Sequence, residues 1–307
     1  MIEAALRRGI LAAAGSPTLQ RFVSRHGMRL GAARFVAGET LEDSVAVHRR
    51  LNERGLRTNT TLLGEHVEDA AAAEEVAAAY GQILERIAAE GLDTNVALKL
   101  THLGLDLDEE LAYANVEHVV ERAASLGNFV RIDMEESKWV DATLRIYRRL
   151  RSSAHDNVGV VLQSYLYRSE DDLESLLPLR PNLRIVKGAY LEPAEIAYPR
   201  KEDVDAAYVR LLERSLRDGG FTAVATHDER LIDHTIAFTE REEIGRDRFE
   251  FQLLFGVRTQ LQLDLVRRGY GVRVATPYGP EWYPYLMRRL AERPANLLFF
   301  AKSLVQR

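Results

Sequence analysis

Toward the C-terminal end of the chain, Tyr285, Arg288 and Arg289 stand at spacings i, i+3 and i+4. On a helix this places a phenol ring and two guanidinium groups within one turn. Two adjacent guanidiniums make a planar, bidentate clamp for an anion such as a carboxylate. Arginine pairs recur at 7–8, 49–50, 148–149 and 267–268, where a solvated helix face is the plainer reading, so the clamp carries weight only if the chain builds a site for it. Polar and ionisable groups close a series of β-prone runs: Glu65, Lys99, Asp133, Gln163, Arg184 with Lys187, and Thr226 with His227 and Asp228. Lys99 sits inside the apolar run Val96-Ala97-Leu98-Lys99-Leu100, so its ammonium must find water, an anion or a carboxylate. Asp133, in the company of basic strand-end residues, favours a salt bridge within a site. Gly188 and Ala189 are small enough for a ring or a phosphate to approach the backbone. His227 and Asp228 have no H-x-H or H-E-x-x-H companion, so no metal is expected there.

These groups need a scaffold that brings distant strand ends together. From Arg57 onward, short β-prone runs alternate with amphipathic helical stretches such as 67–90 and 107–126. The runs fall at 58–63, 94–100, 129–133, 158–163, 183–187, 222–226, 249–253 and 272–276. The apolar segment Val158-Gly159-Val160-Val161-Leu162 suits a strand buried on both faces of a parallel sheet. Eight βα units in order predict the α/β class and a (β/α)8 barrel, whose active site forms at the C-terminal ends of the strands. An open dinucleotide-binding sheet would need G-x-G-x-x-G and a phosphate loop G-x-x-x-x-G-K-[ST], and neither pattern occurs. Residues 1–55 read as an N-terminal helical segment, with Thr40 as N-cap and Asp43 at N3 of a helix ending near Gly55. Residues 56–307 read as the barrel domain.

A net charge of −5 leaves no basic excess to neutralise phosphates, which argues against nucleic acid as the main partner. The absence of cysteine excludes disulfides and thiolate chemistry. No apolar run approaches the ~18 residues of a bilayer span. The first residues lack the apolar core of a signal peptide. A cytoplasmic protein, at most peripheral to the membrane, is expected; a homo-oligomer stays open. Two strand-end lysines leave open a Schiff-base barrel of the aldolase kind, and a non-catalytic barrel scaffold is a third reading.

Several runs, taken together and in order, resemble proline dehydrogenase in its bacterial monofunctional form. They are Leu98-Lys99-Leu100-Thr101, Val130-Arg131-Ile132-Asp133-Met134-Glu135, Val161-Leu162-Gln163-Ser164-Tyr165, Arg184-Ile185-Val186-Lys187-Gly188-Ala189-Tyr190, Ala225-Thr226-His227-Asp228, Phe249-Glu250-Phe251-Gln252-Leu253-Leu254-Phe255-Gly256 and Tyr285-Leu286-Met287-Arg288-Arg289. The resemblance covers roughly residue 35 to the C-terminus. It implies a distorted (β/α)8 barrel with its final helix over the mouth, non-covalent FAD, and oxidation of L-proline to Δ1-pyrroline-5-carboxylate with a membrane quinone as electron acceptor. By the same resemblance Lys99, Arg288 and Arg289 bind the proline carboxylate, and Tyr285 and Leu254 pack on its ring. Arg184 and Gln163 hydrogen-bond the isoalloxazine and Met134 touches it. Val186, Lys187, Gly188, Ala189, Thr226, His227 and Asp228 line the rest of the FAD site, and Glu292 lies near the ribose. Asp133 matches an essential carboxylate expected to orient Lys99 and the arginines, and Glu65 an ion-pair partner that closes the lid with a clamp arginine. One departure is Ala275, where many relatives carry a tyrosine that walls the site near C4 of the substrate ring; its loss implies easier entry of 4-hydroxyproline.

Overall fold

The computed structural model describes residues 32–292, without the side chains of 288–292. The helices expected before residue 32 lie outside the described residues, as do the side chains of Arg288, Arg289 and Glu292. Strands β1 (Arg57–Leu62), β2 (Thr94–Leu98), β3 (Val130–Ile132), β4 (Val158–Gln163), β5 (Asn182–Val186), β6 (Phe221–Ala225), β7 (Phe249–Leu254) and β8 (Val272–Tyr278) pair in parallel, in sequence order. β8 returns to β1 with Arg57 opposite Arg273 and Leu62 opposite Tyr278, which closes the barrel. Strands with helices on the outside and side chains filling the inside are buried on both faces; β4 is buried along its whole length.

The helices are α1 (Leu41–Asn52), α2 (Ala70–Ala89), α3 (Glu109–Ser125), α4 (Val140–Ser152), α5 (Ser169–Leu176), α6 (Lys201–Asp218), α7 (Glu229–Arg241), α8 (Thr259–Arg267) and α9 (Trp282–Glu292). Aspartate N-caps start three of them: Asp69, Asp108 and Asp228 each accept a backbone N–H from the first turn. The box expected at α1 is present, with Thr40 Oγ1 accepting from Asp43 N at 3.2 Å and Asp43 Oδ2 accepting from Thr40 N at 3.2 Å.

The two end helices of the described chain have changed places relative to a regular barrel. α1 packs on β1 and β8, the wall position that a helix following β8 would ordinarily take. α9 instead buries Trp282, Tyr283, Leu286 and Met287 against Ala32, Phe35, Val36 and Leu63, a small core of its own. Leu63 directly follows β1, so this core lies at the C-terminal end of the strands, and α9 covers that end. Trp282 Nε1 donates to Glu39 Oε1 at 2.7 Å, tying the helix to the segment before α1.

The opposite end of the barrel is filled by polar groups. Arg131 runs from β3 past β4, donating to the carbonyls of Val160 (3.1 Å) and Asn182 (2.7 Å) and to the Asn182 side chain. Gly159 makes this crossing possible, because a Cβ there would fall on the Arg131 guanidinium and the Asn182 carbonyl oxygen. Burial foremost, and the charge of Arg184 after it, bring the Arg131 pKa down to about 9.

Two histidines are sealed into this frame. His48 of α1 meets Thr276 Oγ1 at 2.8 Å and Ser44 Oγ at 3.2 Å, and His102 lies beneath Gly64. Burial lowers both to about 4. Folded, each stays neutral down to that value, whereas the unfolded chain takes a proton near its ordinary 6.5. Between those limits the unfolded state binds more protons, so stability falls as pH falls, by about 3 kcal/mol per histidine once the window is crossed. Melting temperature should drop steadily between pH 6.5 and pH 4, and His48→Asn should flatten part of that slope. A flat profile in wild type would show that neither histidine resists protonation.

Candidate active site

A cavity of about 750 Å³ opens where the strands end, lined from every side of the barrel and capped by Tyr285 of α9. Lys99, one residue beyond β2, turns into it and forms an ion pair with Glu65 from the loop after β1. The arginine expected as the other partner of Glu65 lies outside the described side chains. Asp133 follows β3 and is held there by its N–H on Leu98 O at 2.8 Å. Its carboxylate accepts from Arg184 Nη1 of β5 at 2.5 Å. Asp133 thus orients Arg184, an arginine of the barrel wall. Arg184 also donates from Nε to Gln252 Oε1 of β7 at 2.6 Å and from Nη2 to Asn59 Oδ1 of β1 at 3.1 Å. Its guanidinium is therefore gripped from three strands or strand ends.

The remaining wall runs from β3 to β7. Gln163 ends β4 with Nε2 donating to Glu135 O at 2.9 Å, while Glu135 is itself held by Thr101 N and Oγ1 at 3.1 and 2.6 Å. Met134 and Val186 present apolar surface beside it. Lys187 lies 2.5 Å from Asp205 and 3.3 Å from Asp228, and Lys201 joins the same carboxylates. Hydrogen bonds from Arg230 foremost, and then Lys187, hold the Asp228 carboxyl well below the usual range. Thr226 Oγ1 accepts from Asp228 N at 3.1 Å. His227 Nε2 accepts from Leu254 N at 3.0 Å, which puts the ring proton on Nδ1 and pins the end of β6 to the end of β7. Among the described residues no group of three or more His, Asp or Glu side chains is placed to hold a metal.

Gly188 and Ala189 line the cavity as expected, but Gly188 has its own reason to be glycine. Its φ of +117° is left-handed, and a Cβ there would strike the Tyr165 ring. The absence of a side chain leaves room for the Tyr165 ring. Leu254 closes β7, and it and Tyr285 of α9 both line the cavity. Asn59, Gln252, Lys201, and the Glu229–Arg258 ion pair joining two mouth loops were not foreseen from the sequence. Asn59 and Gln252 sit inside β1 and β7, three and two residues short of Leu62 and Leu254; an inward-facing amide in a buried strand is itself the available signal.

Lys99 and Lys187, the two strand-end lysines, both touch carboxylates, as does Lys201, whereas imine formation needs a bare, neutral amine. A closed parallel barrel with ion-paired groups converging on a cavity at the strand C-termini is the architecture of a (β/α)8-barrel enzyme. The proline dehydrogenase family model matches residues 45–302. Proline dehydrogenase 1 of Bacillus subtilis subsp. natto is 41% identical over 302 residues, which span 98% of this chain and 100% of that protein. The proline dehydrogenase of Deinococcus radiodurans is 42% identical over 310 residues, 100% of each chain. Among solved structures, proline utilization A from Bdellovibrio bacteriovorus, inactivated by N-propargylglycine, aligns with a TM-score of 0.81 at 22% identity, over 89% of this chain and 33% of that longer one. The chain belongs to the proline dehydrogenase family, a family of oxidoreductases.

Proposed function

We propose that this protein oxidises L-proline to Δ1-pyrroline-5-carboxylate with non-covalently held FAD and passes the electrons to a quinone. The observation that carries the reading is the cavity itself. It is far larger than a five-membered amino acid needs, and it joins a cationic corner at Lys99 to an amphipathic wall running from Gln163 to His227. The donor set suits a flavin: a planar guanidinium at Arg184, an amide at Gln163, apolar faces at Met134 and Val186, and ammonium groups at Lys187 and Lys201 for phosphate oxygens. Gly188, Ala189, Thr226, His227 and Asp228 would line the rest, with Glu292 toward the ribose. FAD, when bound, supplies the acceptor for the hydride that leaves C5 of proline.

The chain's own groups would do the rest. Lys99, Arg288 and Arg289 take the substrate carboxylate, and Tyr285 and Leu254 wall the ring, so that C5 has one orientation. The substrate amine must be unprotonated, since a cationic nitrogen cannot support hydride loss from the adjacent carbon. Cations around the site favour that state. Arg184, fixed by Asp133, would stabilise negative charge as it develops on the cofactor side. Glu65 would hold Lys99 until substrate arrives. The same reading has the protein work in the cytoplasm and meet a membrane quinone peripherally; no helix among the described residues is long and apolar enough to cross a membrane.

Purified protein should carry a flavin whose visible absorbance bleaches on addition of L-proline. Protein reconstituted with FAD that proline does not bleach would sink the proposal. Arg288→Met or Arg289→Met should raise KM for proline by about tenfold or more, with flavin content nearly intact, because an arginine–carboxylate hydrogen bond contributes roughly 1.5–3 kcal/mol. Loss of FAD in those variants would mean that the helix builds the cofactor site instead. Ala275 lines the cavity beside Leu254 N-terminal to Pro277. Ala275→Tyr should lower kcat/KM for 4-hydroxyproline more than for proline; an unchanged ratio between the two substrates would remove Ala275 from specificity.

A further inference from the structure

Arg184 is held by two strand amides and one strand-end carboxylate, and the polarity of those contacts is forced. A guanidinium only donates, so Gln252 must turn its Oε1, and Asn59 its Oδ1, toward Arg184. The Gln252 Nε2 then points the other way and donates to Glu250 Oε1 at 2.7 Å. An ionised carboxylate only accepts, so this end is forced as well. Glu250 is buried and takes a further hydrogen bond from Arg273 Nε at 2.8 Å, with Arg57 Nη1 at 3.5 Å from its other oxygen. Burial by itself would raise the Glu250 carboxyl; the charge and hydrogen bond of Arg273, the Gln252 amide and Arg57 outweigh it and keep the group low. Arg273 is anchored in turn on Thr58 O at 2.8 Å.

The result is a network whose donors all point toward Glu250: Arg184 donates to Gln252 and Gln252 to Glu250, while Arg273 donates to Glu250 from the other side and Arg57 pairs with it. Of five guanidinium N–H groups, Nε and one on each Nη are consumed by Gln252, Asp133 and Asn59, and one N–H remains on each Nη. Because Nε cannot rotate independently of the Cδ stem, its partner decides the plane of the whole fork. We propose that Gln252 is a positioning residue for catalysis: charged Glu250 fixes the direction of its amide, and that amide fixes the plane in which Arg184 presents its two remaining donors to the reacting ligands. This rests on the reading of the cavity as the flavin and proline site.

The test uses the FAD-loaded protein. Gln252→Leu should lower kcat by roughly tenfold or more, the loss of one hydrogen bond to a charged group. KM for proline should change little, since Lys99 and the clamp are untouched. The midpoint potential of the bound flavin, measured by chemical titration without proline, should become more negative as Arg184 is less well aimed. Gln252→Glu is the isosteric companion. At low pH one proton is shared between positions 250 and 252, Arg184 keeps its acceptor, and kcat stays near wild type. As pH rises that proton is lost, two carboxylates face each other between Arg184, Arg273 and Arg57, and kcat should fall on an alkaline limb absent from wild type.

Wild-type kcat and potential in Gln252→Leu would overturn the proposal. If that variant does not fold, a wild-type pH profile in Gln252→Glu overturns it equally. Failure of the wild-type flavin to bleach with proline would instead sink the assigned activity. The potential shift would then still report whether Gln252 governs Arg184.

Discussion

Arg184→Lys is expected to cut turnover with L-proline by about a hundredfold or more while the protein stays folded and loaded with FAD. Lysine keeps the positive charge, so Asp133 is not left as an uncompensated carboxylate, which would cost about 3–5 kcal/mol. What lysine cannot keep is the fork. Its single ammonium cannot reach Asp133, Gln252 and Asn59 together, as the three nitrogens of Arg184 do at 2.5, 2.6 and 3.1 Å. Removing one preorganised donor from a site where charge develops typically costs about a hundredfold to a thousandfold in rate. KM for proline should move much less than kcat, because the carboxylate corner at Lys99 stays paired with Glu65 as before. Steady-state kinetics on protein of measured flavin content decides it: turnover within a factor of about three of wild type would mean that Arg184 is structural.

The second large effect is on stability and lies far from the mouth. Gly159→Ala should destabilise the barrel by about 3 kcal/mol or more. One methyl group at this position meets three obstacles at once, the Arg131 guanidinium, the backbone oxygen of Asn182 and the Phe129 ring. The side chains could move aside, but the carbonyl belongs to β5 and is fixed by the ladder with β4 and β6. Displacing Arg131 also strands a buried cation away from the three oxygens that solvate it and off the Phe129 ring, whose centroid lies 5.0 Å from its Cζ. At about 2–4 °C per kcal/mol for a large domain, the melting temperature should fall by roughly 6 °C or more. A change under about 2 °C would show that the barrel floor yields.

The strands were legible because burial on both faces leaves an apolar signature that does not depend on partners; all eight expected runs fall on strands of the barrel. Their ends were less so. β2 stops at Leu98, since the next residues turn into a 3-10 segment, and β8 continues to Tyr278 through Pro277. Proline is tolerated there at the very rim, where its carbonyl accepts the Ala37 N–H at 2.8 Å. Within the cavity, residue types were readable and pairings were not. A lysine inside an apolar run announces that it needs a counterion, but only the fold says that the counterion is Glu65. Gly188 was readable as room beside the cavity; that its missing Cβ also makes room for Tyr165 was not. The grip on Arg184 was invisible because its partners come from β1, the residue after β3, and β7, as far as 125 residues from Arg184 itself, and no periodicity encodes which amide will face which strand.

The exchange of α1 and α9 has a consequence for how the protein comes together and comes apart. His48 on α1 reaches Thr276 on β8 across 228 residues of chain, so an early-made helix must wait for the last strand before its wall position exists. Closure of the cylinder is therefore the long-range, late event of folding. Among its described side chains, α9 buries Trp282, Tyr283, Leu286 and Met287 in a separate small core with Leu63 and the segment around Phe35 and Val36. A regular barrel cannot lift its eighth helix without exposing the seam between first and last strands. Here the seam is already sealed by the opposite end of the chain, so displacing the cover over the cavity would leave β1 and β8 closed.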